Sequence, residues 1–226
     1  MTVSTPTRPR VVGVVIGTDG RLQTSVSLQT SNILFDFAVN LASAARLFTT
    51  AQLARHPDLS WRTRPQTRAQ EFLHAHRDTF ERLPAQVGEC HRYRLTRAPR
   101  ARYGITWRAV SGKTQRAYHW LGLGDIWCEM AFSHGRPTEW RTEVDAQFDV
   151  ICMWRGVTWC IEYQRTPITE KKWQAKWDAR KTWYKAQKWE GRPRILLVDA
   201  TGQQDGTIGL PRGTLHVRGV EEIRHL

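Results

Sequence analysis

Residues 148–169 read FDVICMWRGVTWCIEYQRTPIT. Two apolar runs flank Arg155-Gly156; the first opens with Asp149, and the second closes with Glu162 and Gln164. A carboxylate in a buried strand needs a partner, because burial without one is costly. With Arg155-Gly156 as a two-residue hairpin loop, Trp154 faces Val157 and position 149 falls directly opposite position 162. Opposed residues share a sheet face, with Cβ atoms roughly 4.5–5.5 Å apart. Period-two alternation adds Gln164 to the face of Glu162 and sends Trp159, Ile161 and Tyr163 to the other. Like charges so placed destabilise a sheet, and a divalent cation reverses that sign. Carboxylate oxygens suit Mg²⁺ or Mn²⁺, ions that polarise a phosphodiester and lower the pKa of a bound water. A solvated pair of strand ends is the alternative, and a one-residue slip of register would separate the two acids.

The neighbouring segments extend the pattern. Lys113–Phe132 has helical periodicity with Trp120, Trp127 and Ala131 inward, and Thr138–Val144, 147–154 and Val157–Gln164 read as three consecutive strands. Thr169–Trp189 is a long basic helix capped by Thr169 and ended before Gly191-Arg192-Pro193. RILLVDA (194–200) reads as a fully buried strand, and TLHVRGV (214–220) as a last one. The order αβββαβ(β) predicts an α/β fold around a mixed sheet.

On the basic helix, Trp173, Trp177, Arg180 and Tyr184 form one stripe at spacings of four, three and four. Core packing accounts for its aromatics, whereas an inward guanidinium wants a carboxylate or phosphate. Lys171, Lys172 and Lys176 join a surface expected to track phosphates.

The first half reads differently. RVVGVVIGTDGRLQTSVSL suggests two short strands about Asp19-Gly20. Leu34, Phe37, Ala38, Leu41 and Ala45 recur at helical spacing, a short helix follows a Thr49 or Thr50 cap and closes at Pro57, and a third runs from Gln66 to Leu83. Residues 91–116 then hold eight Lys or Arg and no acid, Arg97, Arg100 and Arg102 among them. Three helices and a basic β-like segment suggest a winged helix-turn-helix bound to DNA; a helical cap with solvated charges is the other reading. The expected division is 1–108 for this mainly helical part and 109–226 for the α/β core.

The chain of 226 residues carries a net charge of +13, which favours a polyanionic partner, nucleic acid before membrane. No apolar run reaches membrane-spanning length and no signal-peptide core opens the chain, so a soluble, cytoplasmic protein is expected. Four cysteines without a CxxC pair and eight scattered histidines argue against structural zinc. Eleven tryptophans serve either the core or base stacking.

The spacing D-x(12)-E-x-Q from Asp149 to Gln164 on a hairpin, followed by a helix, resembles the PD-(D/E)xK nuclease superfamily. IEYQRTPIT with Trp177, Arg180 and Tyr184 behind it is similar to competence-protein CoiA-like nucleases. HWLGLGDIW resembles replication-relaxation proteins of plasmid replication and mobilisation. The resemblance covers about residues 113–200. It implies that Asp149 and Glu162 hold Mg²⁺ or Mn²⁺ with the carbonyl of Tyr163, and that Gln164 stands where most members have lysine. Glu129, with Asp125 one turn before it, matches the superfamily's helical acid; Glu143 and Asp145 are further acids. The implied activity is a metal-dependent deoxyribonuclease on duplex or branched DNA, as monomer or homodimer. A DNA-binding replication or mobilisation factor without cleavage is the alternative.

Overall fold

The computed structural model describes residues 14–16, 22–84, 90–106, 115–144, 148–167, 169–189, 191–201 and 213–226. Contacts divide the chain into two units, 1–40 and 41–226. In the first, β1 (Val14–Ile16) pairs antiparallel with β2 (Leu22–Thr24), as the expected hairpin requires; its Asp19-Gly20 turn lies outside the described residues. Helix α1 (Ser25–Ala45) follows directly.

In the second unit, β3 (Phe48–Thr49) leads into α2 (Thr50–Ala54). Thr49 is the N-cap: its hydroxyl accepts from the Gln52 N–H while the Gln52 side chain accepts from the Thr49 N–H, a reciprocal capping box. Pro57 both ends that helix and opens the next, α3 (Pro57–Ser60), because a missing N–H is harmless in a first turn. Helix α4 (Pro65–Ala75) is shorter than expected. The chain turns at His76 and continues as β4 (Phe80–Leu83), which pairs antiparallel with β5 (Arg92–Leu95). Phe80 and Leu83 fit a helical stripe in sequence, but cross-strand pairing wins: Arg94 Nε meets Glu81 at 2.9 Å, and Phe80 meets Phe48 edge-to-face at 5.8 Å. The basic segment is not all β-like either. Thr96 and Pro99 favour a helical turn, and α5 (Arg97–Arg102) forms after β5. Strands β3, β5 and β4 make a three-stranded sheet in that order.

Helix α6 (Gln115–His134) precedes the meander β6 (Thr138–Val144), β7 (Phe148–Trp154) and β8 (Val157–Gln164). The residues just before α6, where the 108/109 boundary was expected, lie outside the described set. Arg155 (φ 54°) and Gly156 (φ 72°) both occupy the left-handed region, the backbone that a tight two-residue hairpin loop demands. Trp154 accordingly pairs with Val157 and Val150 with Ile161. Helix α7 (Glu170–Ala186) crosses to β9 (Arg194–Asp199), parallel to β8, and β10 (Thr214–Val217) runs parallel to β9. A closing 3-10 helix (Val220–His225), not anticipated, follows. The sheet order is β10-β9-β8-β7-β6, a mixed five-stranded sheet with β8 at its centre.

Two apolar clusters cover its faces. Trp120, Leu123, Ile126 and Met130 of α6 pack with Val150, Cys152, Trp154, Trp159 and Ile161 on one side. Trp173 and Trp177 of α7 pack with Phe148, Ile151, Cys160 and Leu197 on the other. Cys128, Cys152 and Cys160 are buried free thiols, and burial pushes the Cys160 thiol up to about 12; Cys90 is exposed. No helix among the described residues is long and apolar enough to cross a membrane.

Trp177 is fully buried where helix meets sheet. Trp177→Ala is expected to lose roughly 3–5 kcal/mol in urea-unfolding measurements, the cost of a large core cavity.

Candidate active site

Glu162 lies on the central strand with 1% of its surface exposed. Alternation with Cys160 aims it at α7, which answers with two cations: Lys176 pairs with its Oε1 and Arg180 with its Oε2. Arg180 is itself buried, its guanidinium 5.0 Å from the ring centres of both Phe148 and Trp177. One of its nitrogens, Nη1, is buried without a hydrogen-bond partner. Burial, then the charge of Asp149, push the Glu162 carboxyl above its ordinary value; Arg180 and Lys176 oppose them without cancelling them. Lys176 also donates to Gln164 Oε1 at 3.3 Å, while the Gln164 amide nitrogen donates to the Thr166 carbonyl. Thus Lys176, expected on a phosphate-tracking surface, bridges Glu162 and Gln164 instead.

Asp149 lies one residue beyond the regular β7–β8 ladder, and its carboxylate does not join Glu162 against α7. Regular pairing of β7 with β8 stops at Val150↔Ile161. Phe148 joins the cluster beneath α7, which breaks the alternation of β7, and the Asp149 carboxylate turns toward α6. There Oδ1 lies 3.3 Å from His119 Nε2, and Oδ2 accepts the Tyr163 N–H at 2.7 Å. The carboxylate thereby takes over a backbone donor that the ladder leaves open. Burial pushes the Asp149 carboxyl up, but the His119 hydrogen bond and charge, the Tyr163 N–H and Lys176 together hold it below the ordinary value. The two acids therefore lean to different helices, while the Asp149 charge still acts on Glu162 and the Lys176 charge on Asp149.

The Tyr163 ring rests on α6. A Cβ added at Gly122 would overlap it, so glycine is what lets this helix turn approach the strand. His119 lies 5.8 Å from the same ring. The Tyr163 carbonyl points to the same strand edge as its N–H, toward Asp149.

Glu129 is not brought to this site. It is buried on α6, ten residues or about 15 Å of helix beyond His119, and paired with Arg55 and Arg224. Asp125 lies 3.5 Å from Arg55, its carboxyl pushed up chiefly by burial. Glu143 pairs with Arg46 at 3.0 Å and with Arg116. Asp145 is outside the described residues. Lys171, Lys172, Arg97 and Arg102 are exposed, and Arg100 is half-buried.

Two groups at this end of the sheet carried no motif signal. His119 is one. The other is Asp199, fully buried at the end of β9 and paired in register with Gln164. Its Oδ1 accepts from the Thr201 N–H at 2.9 Å and hydroxyl at 2.6 Å, and His216 Nε2 stands 3.9 Å from Oδ2. An acid closing the apolar run Ile195–Val198 was the available clue.

Asp149, Glu162 and the Tyr163 carbonyl are hard oxygen donors, suited to Mg²⁺ or Mn²⁺. Among the described residues no group of three or more His, Cys, Asp or Glu side chains could hold a metal ion. Mg²⁺ commonly takes only one or two carboxylates and completes its shell with water and substrate phosphate, so two acids fit it in kind and number. Comparison of the chain with protein-family models, characterised proteins and solved structures found no match.

The two acids should titrate with opposite effects on stability. Asp149, with its folded pKa depressed, stabilises above the unfolded value, and that contribution is lost as pH falls through the folded pKa. Glu162, with its folded pKa raised, opposes folding increasingly as pH rises above the unfolded value. Arg180→Met removes a cation from Glu162 and raises that carboxyl further. Denaturation across acidic to neutral pH should show a deficit of about 3 kcal/mol at neutrality that shrinks in acid.

Proposed function

We propose that this chain is a metal-dependent nuclease that hydrolyses DNA phosphodiester bonds, built on a PD-(D/E)xK-like core. The observation that carries the reading is the open end of the β7–β8 hairpin, where the Asp149 charge acts on Glu162 and the Lys176 ammonium joins Glu162 to Gln164. The helix–three strands–helix–strand order of residues 115–199 supports the core assignment. Strand β3, helices α2 to α4 and the β4–β5 pair support a winged-helix reading of residues 48–95. The basic balance of the chain supports a polynucleotide substrate.

Asp149, Glu162 and the Tyr163 carbonyl would hold Mg²⁺ or Mn²⁺, which when bound polarises the phosphoryl group and acidifies a water. The chain's own groups divide the remaining work. His119 and the Tyr163 N–H keep Asp149 ionised and fixed in direction. Arg180, held between Phe148 and Trp177, locks one oxygen of Glu162. Lys176 is half-exposed and long; it leaves the other oxygen and turns its charge to the substrate phosphate, whose negative charge grows as the bond to the leaving oxygen breaks. Gln164 hydrogen-bonds Lys176 and sets its position, so the charge absent from position 164 arrives from the helix.

A second reading has a specific observation in its favour. Both oxygens of Glu162 already have cationic partners in the chain, as in a self-sufficient structural cluster. On that reading the protein is a DNA-binding replication or mobilisation factor that does not cut.

Supercoiled-plasmid nicking in Mn²⁺ separates the two. The nuclease reading expects Asp149→Ala and Glu162→Ala to abolish nicking while retaining DNA binding, and Lys176→Ala to slow it about 10²–10³-fold. Wild-type protein that binds but never nicks supercoiled, single-stranded or branched DNA would establish the non-cutting factor.

A further inference from the structure

A cavity of about 700 Å³ that shares no residue with the Glu162 cluster is lined by Arg55, Trp61, Glu129, Phe132, Arg224 and His225 among others. Trp61 is 72% exposed, whereas every other described tryptophan is buried or half-buried. An indole left in water forgoes the burial that would stabilise the fold, and so offers a flat apolar face to something else. The Arg62 guanidinium lies 4.7 Å from the ring centre, so a cation already stacks on this indole. Phe132 supplies a second aromatic wall, with Arg55 5.8 Å from its ring centre. Two guanidinium groups, Arg55 and Arg224, converge on the single buried Glu129 carboxylate. Arg55 is shared with Asp125 at 3.5 Å, so the cations the cavity can turn to a ligand are Arg224, half exposed, and Arg62 over the indole.

A ligand for this cavity needs an aromatic plane, hydrogen-bonding edges and a negative charge. A nucleotide has all three. An acidic peptide brings the charge without the plane, and the bases of an intact duplex are already stacked on one another. We infer that this cavity binds an unpaired nucleotide of single-stranded DNA, its base against Trp61 and its phosphate toward Arg224 and His225. The inference rests on the reading of a polynucleotide as the partner, and does not require that the chain cut it. It narrows the substrate class to DNA with single-stranded character, such as a tail, bubble or branch.

The test is fluorescence anisotropy of a labelled oligothymidylate with the full chain in EDTA, so that cleavage plays no part. An abasic strand with the same number of phosphates is the reference. Trp61→Ala should weaken binding of the base-bearing strand about tenfold while leaving the abasic strand unchanged, because stacking and not charge is lost. Trp61→Phe should restore most of the affinity. Trp61 is exposed, so the variants are expected to fold, and circular dichroism checks this. Equal weakening on both strands, or none on either, overturns the inference. So does a poly-glutamate peptide whose binding depends on Trp61 while that of the oligonucleotide does not. A chain that binds the oligonucleotide through Trp61 yet nicks nothing keeps this site and loses only the nuclease reading.

Discussion

A carboxylate buried on the central strand sets the terms for the rest of the α/β core. Glu162 cannot stay anionic in an apolar layer without cations, and these come from α7, which packs on that face. Helix α7 is therefore both greasy and basic along a single line. Trp173 and Trp177 fill the layer, and Lys176 and Arg180, one turn apart, reach the acid. Any rotation of the helix would trade an aromatic anchor for an unpaired charge. The ion cluster and the packing fix the same helix phase, and each reinforces the other.

The two acids of the hairpin have been given different characters by their surroundings. Asp149 meets a histidine, a backbone N–H and partial solvent, and its carboxyl is held below the ordinary value. Glu162 sits deeper, and its charge is tolerated only because its partners are near. The buried Arg180 nitrogen without a partner belongs to the same picture: the cluster holds more positive donors than its acceptors use.

Much of this was legible from residue order. The hairpin register follows from Arg155-Gly156, the start of the short helix from the Thr49-Thr50 pair, and the aromatic stripe of α7 from its period. Period-two alternation also put Glu162 and Gln164 on one face, where they are found. It failed at Asp149, because alternation assumes a ladder that continues, and the pairing ends one residue before it. It failed at Phe80–Leu83 because helix periodicity reports which residues are buried, not which partner buries them. His119, Arg46 and Arg224 acquire their meaning only from residues far along the chain. No local pattern encodes such meetings. Trp61 was hidden among eleven tryptophans, since sequence does not say which of the described ones the fold leaves exposed.

The placement of the four thiols sets how the fold meets oxidants. Three lie in the packed layers, protonated and out of reach, and none bridges to another; only Cys90 meets solvent. The core consequently owes nothing to a crosslink, and its integrity does not track the redox potential around it. Damage by peroxide or disulfide exchange would fall first on the stretch leading into β5, at the margin of the three-stranded sheet. That same thiol is a ready point for attaching a single reporter without disturbing the centre of the molecule.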